Sequence, residues 1–348
     1  MPSKRGIAWA FFRRLRASAL GPLALGLGLL AVLLPAAAAT QSPAPPAGRT
    51  STLEITDEAG RAVRVPQPVR RIVSLAPSLT ETVFALGQGD LLVGDTDYCD
   101  YPAEALKKPH VGGPLSPSLE KIMALHPDLV LATRAINRLA TVQALEQLGV
   151  AVYVTDPRTV EQVFSSTERL GSPLGAAEQA AKLVGSLRDR LVQLRERLSG
   201  SEPRSVFFIA WLDPLISVGR NTFLSDALRL AGARSVIATA QDWPNINLEE
   251  VLHLQPAYLV FSSNDPEQIQ RQVAELRSRS GWQGLDALRE NRTIILSEAF
   301  SNPAPRLVDA IEQLARALHP ERFTSGRPVT QPSGALSSPI FSLAAGAL

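Results

Sequence analysis

Leu119–Ala132 reads LEKIMALHPDLVLA, and Leu248–Phe261 reads LEEVLHLQPAYLVF. The two stretches align without a gap: a Leu-Glu opening, apolar residues at helical spacing, a proline, and a closing apolar run. Helical periodicity that stops at a proline and passes into a short continuous apolar run predicts a helix, a break and a buried strand. A chain that writes this unit once in each half predicts two similar lobes.

Working outward from each copy, short apolar runs alternate with helical periodicity, the pattern of a sheet covered by helices. In the first half RIVSLAP, LLVGDT, DLVLAT and VAVYVT read as strands, and SLTETVFALG, SLEKIMALH and TVQALEQLG as helices. After residue 200 the order restarts with SVFFIAW, YLVFSS and TIILSE as strands, TFLSDALRLAG, NLEEVLHLQ and IQRQVAELR as helices, and a closing helix over 305–318. Between the halves, residues 176–198 favour helix with only Gly185 against it, which gives a stiff connector of about 35 Å. Periodicity alone also allows this helix to be a crossover inside one large sheet; the repeated pattern on either side favours two lobes. The expected fold is α/β, with two similar Rossmann-like lobes (53–172 and 201–323) joined by a single long backbone helix (173–200) and a ligand cleft between the lobes.

The ends read differently. Lys4, Arg5, Arg13, Arg14 and Arg16 precede an acid-free apolar run and then Ala37-Ala38-Ala39, which predicts an export signal over 1–39 and a periplasmic protein. A retained membrane anchor is the other reading of the same run. No cysteine lies near the cleavage site, so a lipoprotein anchor is excluded. Residues 40–52 and 324–348 are rich in Pro, Ser and Gly and are expected to be disordered tethers. Cys99 is the one cysteine of the chain, which rules out an intrachain disulfide; it is read as a small buried thiol rather than a cobalt ligand. With 35 Lys+Arg against 33 Asp+Glu the net charge is +2, which gives no case for a nucleic-acid partner. The four histidines are scattered, so no metal site is expected.

From Arg71 to Arg306 the chain resembles the family of helical-backbone (class III) substrate-binding proteins of ABC importers, and within it the periplasmic cobalamin (vitamin B12)-binding group. The resemblance rests on RIVSLAPSLTETVFALG, DTDYCDYP, SLEKIMALHPDLVLATR, WPNINLEEVL and SEAFSNPAPR. It implies a monomer that captures cobalamin or another corrinoid as transported ligand, uses no cofactor, and delivers the ligand to a permease dimer with its ATPase. It also implies that Glu120 and Glu249, one atop each lobe, dock onto permease arginines. Read from the residues alone, both acids follow helix N-cap candidates, Ser116 or Ser118 in one copy and Asn247 in the other. There they gain from the helix dipole whatever else they do.

Ligands of such sheets lie beyond the carboxyl ends of the strands. Those turns hold Ser78, Tyr98, Thr133, Arg134, Trp211, Trp243, Glu298, Phe300 and Asn302. Aromatic residues make up only 5% of the chain, so rings in loops are individually informative. Tyr98, Trp211 and Trp243 suit a large flat ligand. By the resemblance, Tyr98 and Trp243 match pocket aromatics of the cobalamin binders, with Trp211 near another. Pro114 and Thr133 stand where the enterobacterial form has tryptophans, and Glu298 and Asn302 replace its acidic and basic residues. Ferric siderophore and haem are the alternative ligands on this architecture. An exported α/β enzyme is the reading from a different class; the chain has no Gly-x-Ser-x-Gly elbow and no Walker sequence, and no catalytic residue is assigned.

Overall fold

The structure is a computed structural model and describes residues 51–323. The expected signal peptide, nearly all of the first tether and the C-terminal tail lie outside those residues.

The described chain begins with a hairpin. β1 (Ser51–Thr56) and β2 (Ala62–Gln67) pair antiparallel, Ser51 opposite Gln67 and Thr56 opposite Ala62. Ser51 and Thr52, expected to belong to the tether, are therefore strand residues: the alternation of Val63 and Val65 inward and their neighbours outward gives the hairpin one buried face. Asp57 at its turn accepts hydrogen bonds from Ala59 N (3.0 Å), Arg61 N (2.8 Å) and Val154 N (3.2 Å), which ties the hairpin to the first lobe.

That lobe continues through β3 (Ile72–Ser74), α1 (Pro77–Ala85), β4 (Leu92–Gly94), the short pair β5 (Gly112–Gly113) and β6 (Ser116–Pro117), and α2 (Leu119–Ala124). It ends with β7 (Leu129–Thr133), α3 (Leu139–Gln147), β8 (Ala151–Thr155) and α4 (Val160–Gly171). The connector α5 (Ala177–Arg197) follows. The second lobe holds β9 (Arg204–Phe208), the short hairpin β10 (Trp211–Leu212) and β11 (Leu215–Ile216), α6 (Phe223–Leu230), β12 (Ala233–Ser235) and α7 (Leu248–Leu254). It closes with β13 (Tyr258–Ser262), α8 (Pro266–Ser278), α9 (Asp286–Arg289), β14 (Thr293–Leu296) and α10 (Leu307–Leu318).

The main sheets run β4-β3-β7-β8 and β12-β9-β13-β14, with every neighbouring pair parallel. Numbered within its own lobe, each sheet has the order 2-1-3-4. The repeated phrase is thus one topological unit used twice, since α2 leads into β7 and α7 into β13, the third strand of each sheet. Both faces of both sheets are covered, which is why the strands read as continuous apolar runs. Ile72, Leu129 and Leu131 face α1 and the hairpin, while Val73, Val130 and Val152 face the α2 and α3 side.

The spine is held by one apolar stripe. Ala180 packs into the first lobe's core, and Val184, Leu187, Leu191 and Leu194 pack into the second's, at helical spacing along 21 residues or about 30 Å. Arg188 pairs with Glu161 and Glu168 of α4, and Arg190 with Asp309 (2.6 Å) and Glu312 (3.0 Å) of α10. α4, which the sequence reading passes over, buries Val160, Val163 and Phe164 in the second lobe's core beside the spine. No helix among the described residues is long and apolar enough to cross a membrane.

Candidate ligand cleft and docking acids

The segments that follow β3, β4 and β8 meet those that follow β12, β13 and β14 through three polar bridges between the lobes. Glu81 of α1 accepts from Asn302 Nδ2 (3.0 Å) and from Arg306 Nε (3.1 Å) and Nη2 (2.9 Å), at the start of α10. Asn264 donates to Asp100 at 3.0 Å, and Arg158 pairs with Asp242. The Glu81 side chain is only 4% exposed, so its charge depends on Arg306; removing one member of such a pair leaves the other buried and uncompensated. The Arg306 guanidinium also lies over the Tyr101 ring, 3.6 Å from its centroid, while Tyr101 remains 46% exposed.

Glu298, just past β14, belongs to the same cluster. Its carboxyl makes no hydrogen bond among the described residues, and burial pushes its pKa up to about 7. Asp100 and Glu81 add to the rise, and Arg306 opposes it. Burial likewise raises Glu81 against the pull of Arg306. Three carboxyl groups share one guanidinium, so near neutrality Glu298 is available both as hydrogen-bond donor and as acceptor.

The other expected site residues divide by accessibility. Trp243 is 41% exposed, and Tyr98 is half-buried in the loop after β4, where its ring edge runs beside Gly113. Trp211 is half-buried, and it lies in β10 rather than in a loop, its indole N–H donating to Asp213 O at 2.6 Å. Arg134 is exposed and pairs with Asp156 at 3.5 Å. Four residues face inward instead. Phe300 is fully buried against Phe208, ring centroids 5.7 Å apart, so it belongs to the second lobe's core and presents no face to a ligand. Ser78 is buried in the first turn of α1, and Thr133 is buried with its hydroxyl donated to Thr155 O (3.2 Å). Asn302 is buried on Glu81, a bridging residue rather than a rim residue.

Glu81, Tyr101, Asn264 and Arg306 were not among the expected site residues. One signal was available: Glu81 sits inside the apolar helix LTETVFAL, and an acid on a buried helix face requires a partner. Cys99 is buried between the hydroxyls of Thr80 and Thr96, each 3.2 Å from Sγ, and burial, helped by Asp95, pushes its thiol up to about 11. That burial keeps it a neutral thiol at neutral pH. Among the described residues no group of three or more His, Cys, Asp or Glu is arranged to hold a metal ion.

Glu120 and Glu249 are both exposed in the first turns of α2 and α7. Ser118 rather than Ser116 caps the first helix, accepting from Lys121 N, and Asn247 caps the second, accepting from Glu249 N at 3.0 Å. The two acids therefore occupy equivalent points of equivalent units. The family model for periplasmic binding proteins matches residues 72–299. The chain belongs to the periplasmic binding protein family. It is 32% identical over 250 residues to the vitamin B12-binding protein of Photorhabdus laumondii, a match covering 72% of this chain and 88% of that protein. Among solved structures it is similar to the periplasmic vitamin B12-binding protein BtuF of Vibrio cholerae, with a TM-score of 0.64, 29% identity, and 74% of this chain and 99% of that one covered. A periplasmic haem-binding protein from Pseudomonas aeruginosa also matches, with a TM-score of 0.67, 26% identity, and coverage of 76% and 96%. In this binding protein the lobes, the spine and the two acid-tipped units follow one plan.

Proposed function

We propose that the protein is exported by a cleavable signal, captures cobalamin or a related corrinoid in the cleft between its lobes, and hands it to an ABC importer. The observation that carries this reading is the similarity to a vitamin B12-binding protein over most of both chains. The cleft's chemistry supports it. Trp243, Tyr98 and Trp211 are each partly exposed, and their ring faces suit a large flat macrocycle, each stacking contact contributing about 0.5–1.5 kcal/mol beyond area. Glu298 faces a corrinoid's peripheral carboxamides as an acceptor when ionised and a donor when not.

Glu120 and Glu249 are the proposed docking points on a permease of two equal subunits, served by its ATPase, with the binding protein acting as a monomer. The protein works by binding, without turnover and without a resident cofactor. Haem is the second reading, favoured by the haem-binding neighbour and by the half-buried Tyr98, a side-chain type able to ligate haem iron. A ferric siderophore, commonly anionic, suits a cluster of three carboxyls around one guanidinium less well. Titration with cyanocobalamin, followed by tryptophan fluorescence, separates the readings. Saturable quenching at micromolar ligand is expected; quenching by haemin alone would reverse the order.

A further inference from the structure

A cavity of about 630 Å³ lies along β12, the edge strand of the second sheet, and none of the cleft rings lines it. Buried Ala233 and Ile237 give it an apolar wall, and four exposed guanidinium groups, Arg158, Arg220, Arg229 and Arg234, surround it.

The carboxylates beside these arginines are already engaged. Asp226 accepts from Arg229 at 2.6 Å with one oxygen and from Val160 N at 2.9 Å with the other. Asp242 is paired with Arg158, which also meets Asp156 at 3.0 Å. Among the described residues the Arg220 guanidinium donates only to Ala238 O, at 3.4 Å, and the Arg234 guanidinium has no acceptor within reach. What remains is the spare N–H capacity of two fork-shaped donors, Arg220 and Arg234, opening on an apolar wall next to the amino end of the eight-residue α6. The volume falls in the range of small-molecule sites, and guanidinium matches phosphate oxygens in geometry as well as charge.

We propose that this groove binds a small organic phosphate, its anionic head held by Arg220 and Arg234 and its apolar body against Ala233 and Ile237. The site stands on the arginines alone and does not depend on which ligand the cleft takes. It borders the cleft wall, since Arg220 N donates to Thr239 O (2.9 Å), Gly219 N to Asp242 O (3.0 Å), and Trp243 follows Asp242. The phosphate therefore has two sources, a separate molecule or an arm of the molecule in the cleft.

The test is a calorimetric titration of phenyl phosphate at low ionic strength into the wild type, R220Q/R234Q, R220E/R234E and the distant surface variant R64E. Binding is expected in the wild type and in R64E, weakened about tenfold or more in R220Q/R234Q and lost in R220E/R234E. Inorganic phosphate should bind more weakly than phenyl phosphate, because it leaves the apolar wall unused. Repeating the titration with saturating cyanocobalamin assigns the source: competition supports an arm of the cleft ligand, and unchanged affinity supports a separate molecule. If cyanocobalamin itself does not bind, the four-protein comparison still decides. No binding to the wild type, or equal affinity in all four proteins, would overturn the proposal.

Discussion

The double variant E120K/E249K is expected to lose ligand import while keeping the affinity of the wild type for ligand. Both acids are exposed, and neither is paired among the described residues, so the helix dipole is the one interaction within the protein that favours them at their positions in the two equivalent units. Their intrinsic benefit is the helix dipole, about 0.3–1 kcal/mol each, and reversal turns each benefit into a cost of similar size, so the double reversal should lower stability by no more than about 4 kcal/mol. Single surface ion pairs contribute only about 0–1 kcal/mol. Under the proposed docking, reversal does more than delete such a pair, because it would set lysine against the basic groups that the acids are proposed to meet, and like charges brought together in an interface cost several kcal/mol. Uptake in cells lacking the native binding protein, together with ligand affinity of the purified variant, checks this. Normal uptake by E120K/E249K would remove the docking assignment.

Replacing Glu298 by glutamine should make the protein more stable, and increasingly so as pH rises. The carboxyl titrates near 7 in the folded chain, against an ordinary value of 4.5. Between those values the folded state holds a proton that the unfolded state has released, so stability from this group is full below the ordinary value and falls as pH rises towards 7. The wild type should thus fall behind E298Q by up to about 3 kcal/mol at about pH 8, with little difference at about pH 4. Urea unfolding of both proteins across that range measures it. A difference that does not change with pH would show that Glu298 ionises as an ordinary surface acid.

The lobes were legible because their signals are local. LEKIMALHPDLVLA and LEEVLHLQPAYLVF each follow a cap, Ser118 or Asn247, and carry a helical stripe, a proline stop and a buried strand within a few turns of chain, and both fold as that grammar requires. β12 was not legible: Ala-Arg-Ser pairs with β9 alone at a sheet edge and needs no apolar run. α4 hid because Ser165, Ser166 and Thr167 are weak helix formers, although Val160, Val163, Phe164 and Leu170 keep the helical period and Thr167 turns its hydroxyl back onto Val163 O at 2.9 Å. The turns after the strands are legible in the sequence, but whether a side chain in them faces the cleft or the core depends on the neighbouring layer. Phe300 follows Glu298 by two residues and points into the core, while Glu298 borders the cleft cluster. The bridge from Glu81 to Arg306 joins residues 225 apart, a distance over which no local pattern operates.

The central claim is that the cleft between the lobes is built for a corrinoid. Calorimetric titration of cyanocobalamin into the purified wild type and the W243A variant tests it most directly. One site per chain is predicted, with affinity reduced about tenfold in the variant, as loss of a stacking ring from a buried contact implies. No heat of binding with cyanocobalamin, alongside stoichiometric binding of haemin, would contradict it.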